Sequence, residues 1–159
     1  MKVLVSDKMD EAGIEIFKNQ DGIDVDVNTG LSSEALREII GKYDALAIRS
    51  ATKVDKALLD AAKNLKVIAR AGIGLDNVDI DEATHKGVAV MNTPGGNTVT
   101  TAEHAIAMMM SLTRNIPRAT ASMKAGKWEK KILQGREIFN KTLGVIGFGN
   151  IGSIVANLA

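Results

Sequence analysis

Asp44–Arg70 reads DALAIRSATKVDKALLDAAKNLKVIAR. Asp44–Ile48 and Lys66–Ala69 are short apolar runs of buried-strand length. Between them, Asp55–Lys63 has a helical pattern with Leu58 and Leu59 facing inward. A strand–helix–strand unit of this length joins parallel neighbours, because parallel strands need a crossover and a helix usually provides it. The alternation continues on both sides. Lys2–Ser6 reads as a buried strand, and Met9–Asn19 as a helix with Ile14, Ile16 and Phe17 inward. Ile23–Asn28 alternates like a half-buried strand, and Ser32 or Ser33 caps a helix with Leu36, Ile39 and Ile40 at helical spacing. Ile80–Lys86 is a short helix and Val88–Met91 a fifth strand. Five strands separated by helices predict an α/β fold, a doubly wound, flavodoxin-like parallel five-stranded sheet covered on both faces. In such sheets ligands bind beyond the carboxyl ends of the strands.

Thr93–Asn97 (TPGGN) interrupts this pattern with turn residues. A long helix over Thr98–Arg114 follows, carrying Ala102, Ala105, Ile106, Met109, Met110 and Leu112. It is apolar on most of its circumference, so burial on more than one side is expected. A second helix starts at Pro117, a residue favoured in the first turn.

The composition narrows the function classes. The chain has 159 residues, 45% hydrophobic and 25% charged, with a net charge of +1. This balance argues against disorder, and no global field points to nucleic acid. No run reaches the roughly 18 apolar residues of a membrane span, and Met1–Asp10 lacks a signal-peptide pattern. The absence of cysteine excludes disulfides and thiolate chemistry and fits a reducing cytoplasm. The charges are unevenly spread: Arg114–Lys141 holds eight basic and two acidic residues, a net +6, which leaves −5 on residues 1–113. That basic stretch is either a solvated helical face or a surface for an anionic group or acidic neighbour. Thr142–Ala159 is uncharged and ends without a C-terminal glycine or basic last turn, so further machinery is expected beyond Ala159.

Gly147–Gly152 (GFGNIG) is the strongest local motif. It is read as following a strand, Thr142–Ile146, and opening a helix through Ile154 and Val155, the setting of a dinucleotide fingerprint. Gly147 permits the tight turn, Gly149 lets a pyrophosphate approach, and Gly152 lets helix and strand pack closely. Amide groups at the helix start would then face the phosphates. The carboxylate expected about 20 residues further on falls past Ala159, leaving NAD or NADP open. Arg49 and Arg70 each follow a strand, and at adjacent strand ends they would form a two-guanidinium clamp for carboxylate or phosphate. The alternative is pairing with a local acid, Asp76 or Asp79. Ala71–Gly74 (AGIG) would add backbone amides to the same anion. His104, beside Glu103 in an apolar helix, reads as a satisfied structural histidine, and His85 as a capping cation at a helix end. Met108–Met110 reads as core with no metal site, and Trp128, if exposed, as an interface anchor.

Arg70–Asp79 (RAGIGLDNVD), Asn92–Asn97 (NTPGGN), Thr101–His104 (TAEH) and the glycine motif occur in an order and spacing that resembles the D-isomer-specific 2-hydroxyacid dehydrogenases. Arg49–Asp55 (RSATKVD) and Ala121–Lys131 (ASMKAGKWEKK) resemble the branch whose substrate carries a phosphate. The resemblance implies a substrate-binding domain over residues 1–97 and the beginning of a nucleotide-binding domain over 98–159. It implies an NAD-dependent enzyme that moves a hydride from a small anionic D-2-hydroxy acid. Arg49, Ser50, Arg70, Ala71, Gly72 and Asn97 would line the substrate. Ile73, Gly74, Gly147, Gly149, Asn150, Ile151 and Gly152 would face the cofactor. The family often has a basic residue where this chain has Asn150, which leaves that phosphate contact to backbone amides. Residues 98–141 resemble a dimerisation arm, so a homodimer or higher homo-oligomer is expected. The family's catalytic arginine, glutamate and histidine lie downstream, so no catalytic residue is assigned here and this chain alone is expected to be inactive. A non-catalytic, corepressor-like dinucleotide-binding module is the alternative from another class.

Overall fold

The computed structural model describes residues 1–159 and divides into two compact units, 1–96 and 97–159. In the first, β1 (Lys2–Val5), β2 (Asp24–Val27), β3 (Ala45–Ile48), β4 (Val67–Arg70) and β5 (Ala89–Met91) form one parallel sheet in the order β2-β1-β3-β4-β5. The helices α1 (Glu11–Lys18), α2 (Ser33–Ile39), α3 (Lys56–Ala61) and α4 (Ile80–His85) connect the strands, with a 3₁₀ turn at Ile40–Lys42. This is the flavodoxin-like strand order that the strand–helix alternation predicts, with its switch point between β1 and β3.

Alternation along the strands divides the core. Leu4, Leu46, Ile48 and Ile68 are fully buried and meet Leu36, Leu58, Leu59 and Ala83 from α2, α3 and α4. Val3, Val5, Ala45 and Ala47 point to the opposite face, where Phe17 of α1 covers them. Successive strand residues face opposite ways, so every inner position of a doubly covered sheet must be apolar. Four side chains start the helices by accepting the first free amides: Asp10 from Ala12, Ser32 from Ala35, Asp55 from Leu58 and Asp79 from Glu82. Ile16 departs from expectation and lies exposed, while Ile14 and Phe17 are half-buried. At 100° per residue, Ile16 stands well off the stripe that Ile14 and Phe17 share.

The second unit contains α5 (Thr98–Thr113), α6 (Ile116–Lys124) and α7 (Asn150–Leu158), with α6 and α7 packed on α5. Pro117 lies in the first turn of α6, one residue after its start. Two expectations fail here. Thr142–Ile146 is irregular rather than a strand, because residues 97–159 contain no second strand to take its amides and carbonyls. α5 buries only Thr98 and Ala102, whereas Val99, Met108 and Leu112 are exposed, the last at 79%. Two short helices cannot cover an all-round apolar helix. No helix is long and apolar enough to cross a membrane.

Candidate functional site

Polar residues follow directly after the strands at the carboxyl edge of the sheet: Ser6 and Asp7 after β1, Arg49 after β3 and Asn92 after β5, with Arg70 closing β4. Register fixes this alignment, since Val5 lies opposite Ala47 and Ile48 opposite Arg70.

Asp7 is the centre of the arrangement. It is 5% exposed. Its Oδ2 accepts the amides of Arg49 (2.6 Å), Ala51 (3.1 Å) and Thr52 (3.1 Å), and its Oδ1 accepts the Thr52 hydroxyl (2.6 Å). Burial works against its ionisation, but the bonds from Thr52, Arg49 and Ala51 prevail and hold the carboxyl below its ordinary value. From the other side, Asn77 Nδ2 donates to the carbonyls of Arg49 (2.9 Å) and Thr52 (2.6 Å). The residue pattern did not reveal Asp7, Thr52 or Asn77. The Asp7 position directly after a strand was the available signal.

Both expected arginines are at this edge, but each is engaged differently. Arg70 takes the local-acid alternative: its Nη1 lies 3.3 Å from Asp76 Oδ1, and its Nε donates to the Arg49 carbonyl at 3.1 Å. The Arg70 side chain is only 10% exposed. Gly74 lies against this pair, since a Cβ there would stand 3.0 Å from Arg70 Nη1 and 2.8 Å from Asp76 Oδ1. Arg49 has no carboxylate partner. Its exposed side chain donates from Nη1 to the Lys8 carbonyl at 3.3 Å, toward β1 and away from Arg70. The Arg49 guanidinium thus reaches the segment after β1, while that of Arg70 rests on the Arg49 carbonyl and Asp76. Ser50 is exposed in the turn beside Arg49.

The Ala71–Gly74 loop offers fewer amides than expected. The Ala71 amide bonds Ile48 O (2.8 Å) and the Gly72 amide bonds Arg70 O (2.9 Å), so both serve the loop itself. Those of Ile73 and Gly74 bond no protein acceptor. Asn92 Nδ2 grips the Ile73 carbonyl at 2.7 Å, and Thr93 bonds Gly72 O through its amide and hydroxyl. These bonds hold the loop at the end of β5.

In the second unit, Asn97 precedes α5 and accepts the Thr101 amide (2.9 Å) and hydroxyl (2.7 Å) on its carbonyl. Gly147 has φ +92°, a conformation that favours glycine, and Gly149 caps α7 with open space where a Cβ would stand. A Cβ on Gly152 would overlap the Gly147 carbonyl oxygen, so only glycine lets α7 start this close to the turn. Asn150, Ile151 and Gly152 form the first turn of α7, where amides have no intrahelical partner. The His104 side chain is exposed and makes no hydrogen bond, contrary to the satisfied structural role expected for it. Its position on the uncovered side of α5 explains this. Trp128 is 78% exposed and lines an open groove of about 1070 Å³ with Arg114, Ser122, Lys130, Lys131 and Arg136.

Residues 3–148 match the catalytic domain of D-isomer specific 2-hydroxyacid dehydrogenases. The chain belongs to this family. It is 52% identical over 158 residues to the D-3-phosphoglycerate dehydrogenase of Synechocystis sp., covering 99% of this chain and 28% of that protein. It is 48% identical to the hydroxypyruvate reductase of Thermotoga maritima, over 99% of this chain and 51% of the relative. Among solved structures it is similar to the NAD-dependent formate dehydrogenase of Staphylococcus aureus in complex with NAD, with TM-score 0.85, 26% identity and coverage of 99% and 53%. It is also similar to the Aquifex aeolicus D-lactate dehydrogenase complexed with NAD and lactic acid, with TM-score 0.83, 26% identity and coverage of 99% and 47%. The chain thus spans between about a quarter and about half of the length of these relatives.

Proposed function

We propose that this chain is the substrate-binding domain (1–97) and the first part of the nucleotide-binding domain (98–159) of an NAD-dependent D-3-phosphoglycerate dehydrogenase. The longer protein would oxidise the D-hydroxyl carbon of 3-phosphoglycerate to the ketone of 3-phosphohydroxypyruvate, the first step of serine biosynthesis. The carrying observation is an Arg49 guanidinium with no carboxylate partner at the carboxyl edge of the sheet, in a chain half identical to such enzymes.

In this reading Arg49 and Ser50 receive the substrate anion, and Arg70 does so by exchanging Asp76 for a substrate oxygen. A guanidinium suits either anion, because its fork of donors matches the oxygens of carboxylate and phosphate. Ala71, Gly72 and Asn97 complete the substrate surface, and Ile73 and Gly74 face the nicotinamide. The glycine turn fits a dinucleotide: Gly147 makes the bend, Gly149 leaves open space and Gly152 admits the helix start. Gly147, Gly149, Asn150, Ile151 and Gly152 would hold the pyrophosphate, and the bound nicotinamide supplies hydride acceptance. Residues 98–141, with exposed Trp128, would join copies of the enzyme. Light scattering of the longer protein tests that contact.

The deciding assay follows NADH formation by the longer enzyme with D-3-phosphoglycerate, D-glycerate and D-lactate, each with NAD and NADP. A kcat/KM for D-3-phosphoglycerate about tenfold or more above the others is expected, a preference of about 1.4 kcal/mol. Equal values overturn the assignment. A preference for unphosphorylated acids favours a second reading, a glyoxylate or hydroxypyruvate enzyme, which the similarity to the Thermotoga maritima reductase supports.

A further inference from the structure

We propose that Asp7 is a positioning residue for substrate binding, its buried carboxylate holding the Arg49–Thr52 turn so that the Arg49 guanidinium is presented at the β1/β3 switch point. The inference rests on the reading of Arg49 as a substrate contact. Arg49 is held on both sides of its Cα. Its amide is fixed by Asp7 Oδ2 at 2.6 Å, and its carbonyl by Asn77 Nδ2 at 2.9 Å and Arg70 Nε at 3.1 Å. Only the side-chain torsions remain free, so less entropy is lost when the guanidinium closes on an anion.

The sheet does not need these bonds. β1 and β3 are already paired through Val5 and Ala47, and the Ser6 amide extends the pairing to Ala47 O at 3.1 Å. Asp7 lies beyond that ladder and gathers three amides and one hydroxyl from the following turn. An ionised carboxylate suits this task because charge-assisted acceptors bind amides more strongly than neutral ones. The Thr52 hydroxyl lies 2.8 Å from Ser6 Oγ. It can therefore reverse its proton toward Ser6 and accept from an amide group placed at position 7.

The test is steady-state kinetics of the longer enzyme. Asp7→Ala leaves three amides without their acceptor, and KM for D-3-phosphoglycerate is expected to rise roughly tenfold while kcat changes less than about threefold. KM for NAD should not move. Asp7→Asn should restore KM to within about threefold of wild type, because its oxygen keeps the amides and its NH₂ meets Thr52. Thr52→Val removes only the hydroxyl donor; it should raise KM about threefold and decides the matter if Asp7→Ala does not fold. Arg49→Ala separates the two ideas. If it raises KM and folded Asp7→Ala or Thr52→Val does not, the positioning role falls and the substrate reading stands. If Arg49→Ala also leaves KM unchanged, Arg49 is not a substrate contact and both fall. Parallel rises in KM for substrate and NAD would mark general loosening and overturn the inference.

Discussion

At the residue scale, the site is built by single side chains that each bond backbone groups. Asp7 takes three amides, Asn77 two carbonyls and Asn92 one, each at the carboxyl edge. Turns that leave a sheet lose the ladder that satisfied them, and these side chains replace it. Asp7 also links stability to pH. Folding lowers its pKa below the ordinary 3.8, so the unfolded chain holds this proton more tightly. Its contribution is therefore complete above the unfolded value and fades as pH falls through the folded one. Asp7→Asn removes that dependence while leaving the other carboxylates common to both proteins. Urea midpoints at about pH 7 and about pH 3 should show the wild-type advantage shrinking at the acid end. A constant difference would mean that Asp7 does not titrate as the structure implies.

Elements depend on short-range chemistry. α3 and α4 start at Asp55 and Asp79, each accepting the amide three residues on. Asp55→Ala should cost about 0.5–2 kcal/mol, read as a lower urea midpoint at unchanged slope. Lys56 and Lys86 each pair with Asp60 and Glu82, twice within a helix and twice between α3 and α4, and solvent reaching Lys56 and Asp60 screens these pairs. α7 depends on space instead. Because a Cβ on Gly152 would meet the Gly147 carbonyl, Gly152→Ala must displace the turn or the helix start. Overpacking of this kind costs about 1–3 kcal/mol. If the proposed cofactor role of this turn holds, NAD affinity of the longer protein, measured by quenching, should fall while the secondary structure by circular dichroism holds. Unaltered affinity would remove this turn from the cofactor site.

On the scale of the whole molecule, burial is concentrated in residues 1–96. Every residue buried in the sheet core belongs there, whereas 97–159 buries only Thr98, Ala102 and Ser122. Local opening is easiest where few apolar contacts oppose it. Hydrogen exchange on the 159-residue chain should find the slowest amides in β1, β3 and β4, with α5, α6 and α7 exchanging sooner. Slower exchange in α5 than in β3 would contradict this. Within Arg114–Lys141, the exposed Arg114, Lys127, Lys130, Lys131 and Arg136 line the groove beside Trp128 together with both acids of the stretch, Glu129 and Glu137.

Apolar periodicity by itself located the five strands and the helices between them, the placing of Arg49 and Arg70 at strand ends and the start of α7 after Gly149, because residue spacing specifies these locally. The family was legible in Arg70–Asp79 and the glycine motif for the same reason. Tertiary structure decided what spacing cannot encode. Arg70 found Asp76, six residues on, while Arg49 turned to the Lys8 carbonyl across β1. Asp7 reached Arg49, Ala51 and Thr52 over more than 40 positions of sequence. Ile16, Leu112 and Thr142–Ile146 read as buried or paired from their apolar character, but burial needs a covering surface and a strand needs a neighbour. Both are supplied by the rest of the fold and not by the segment itself.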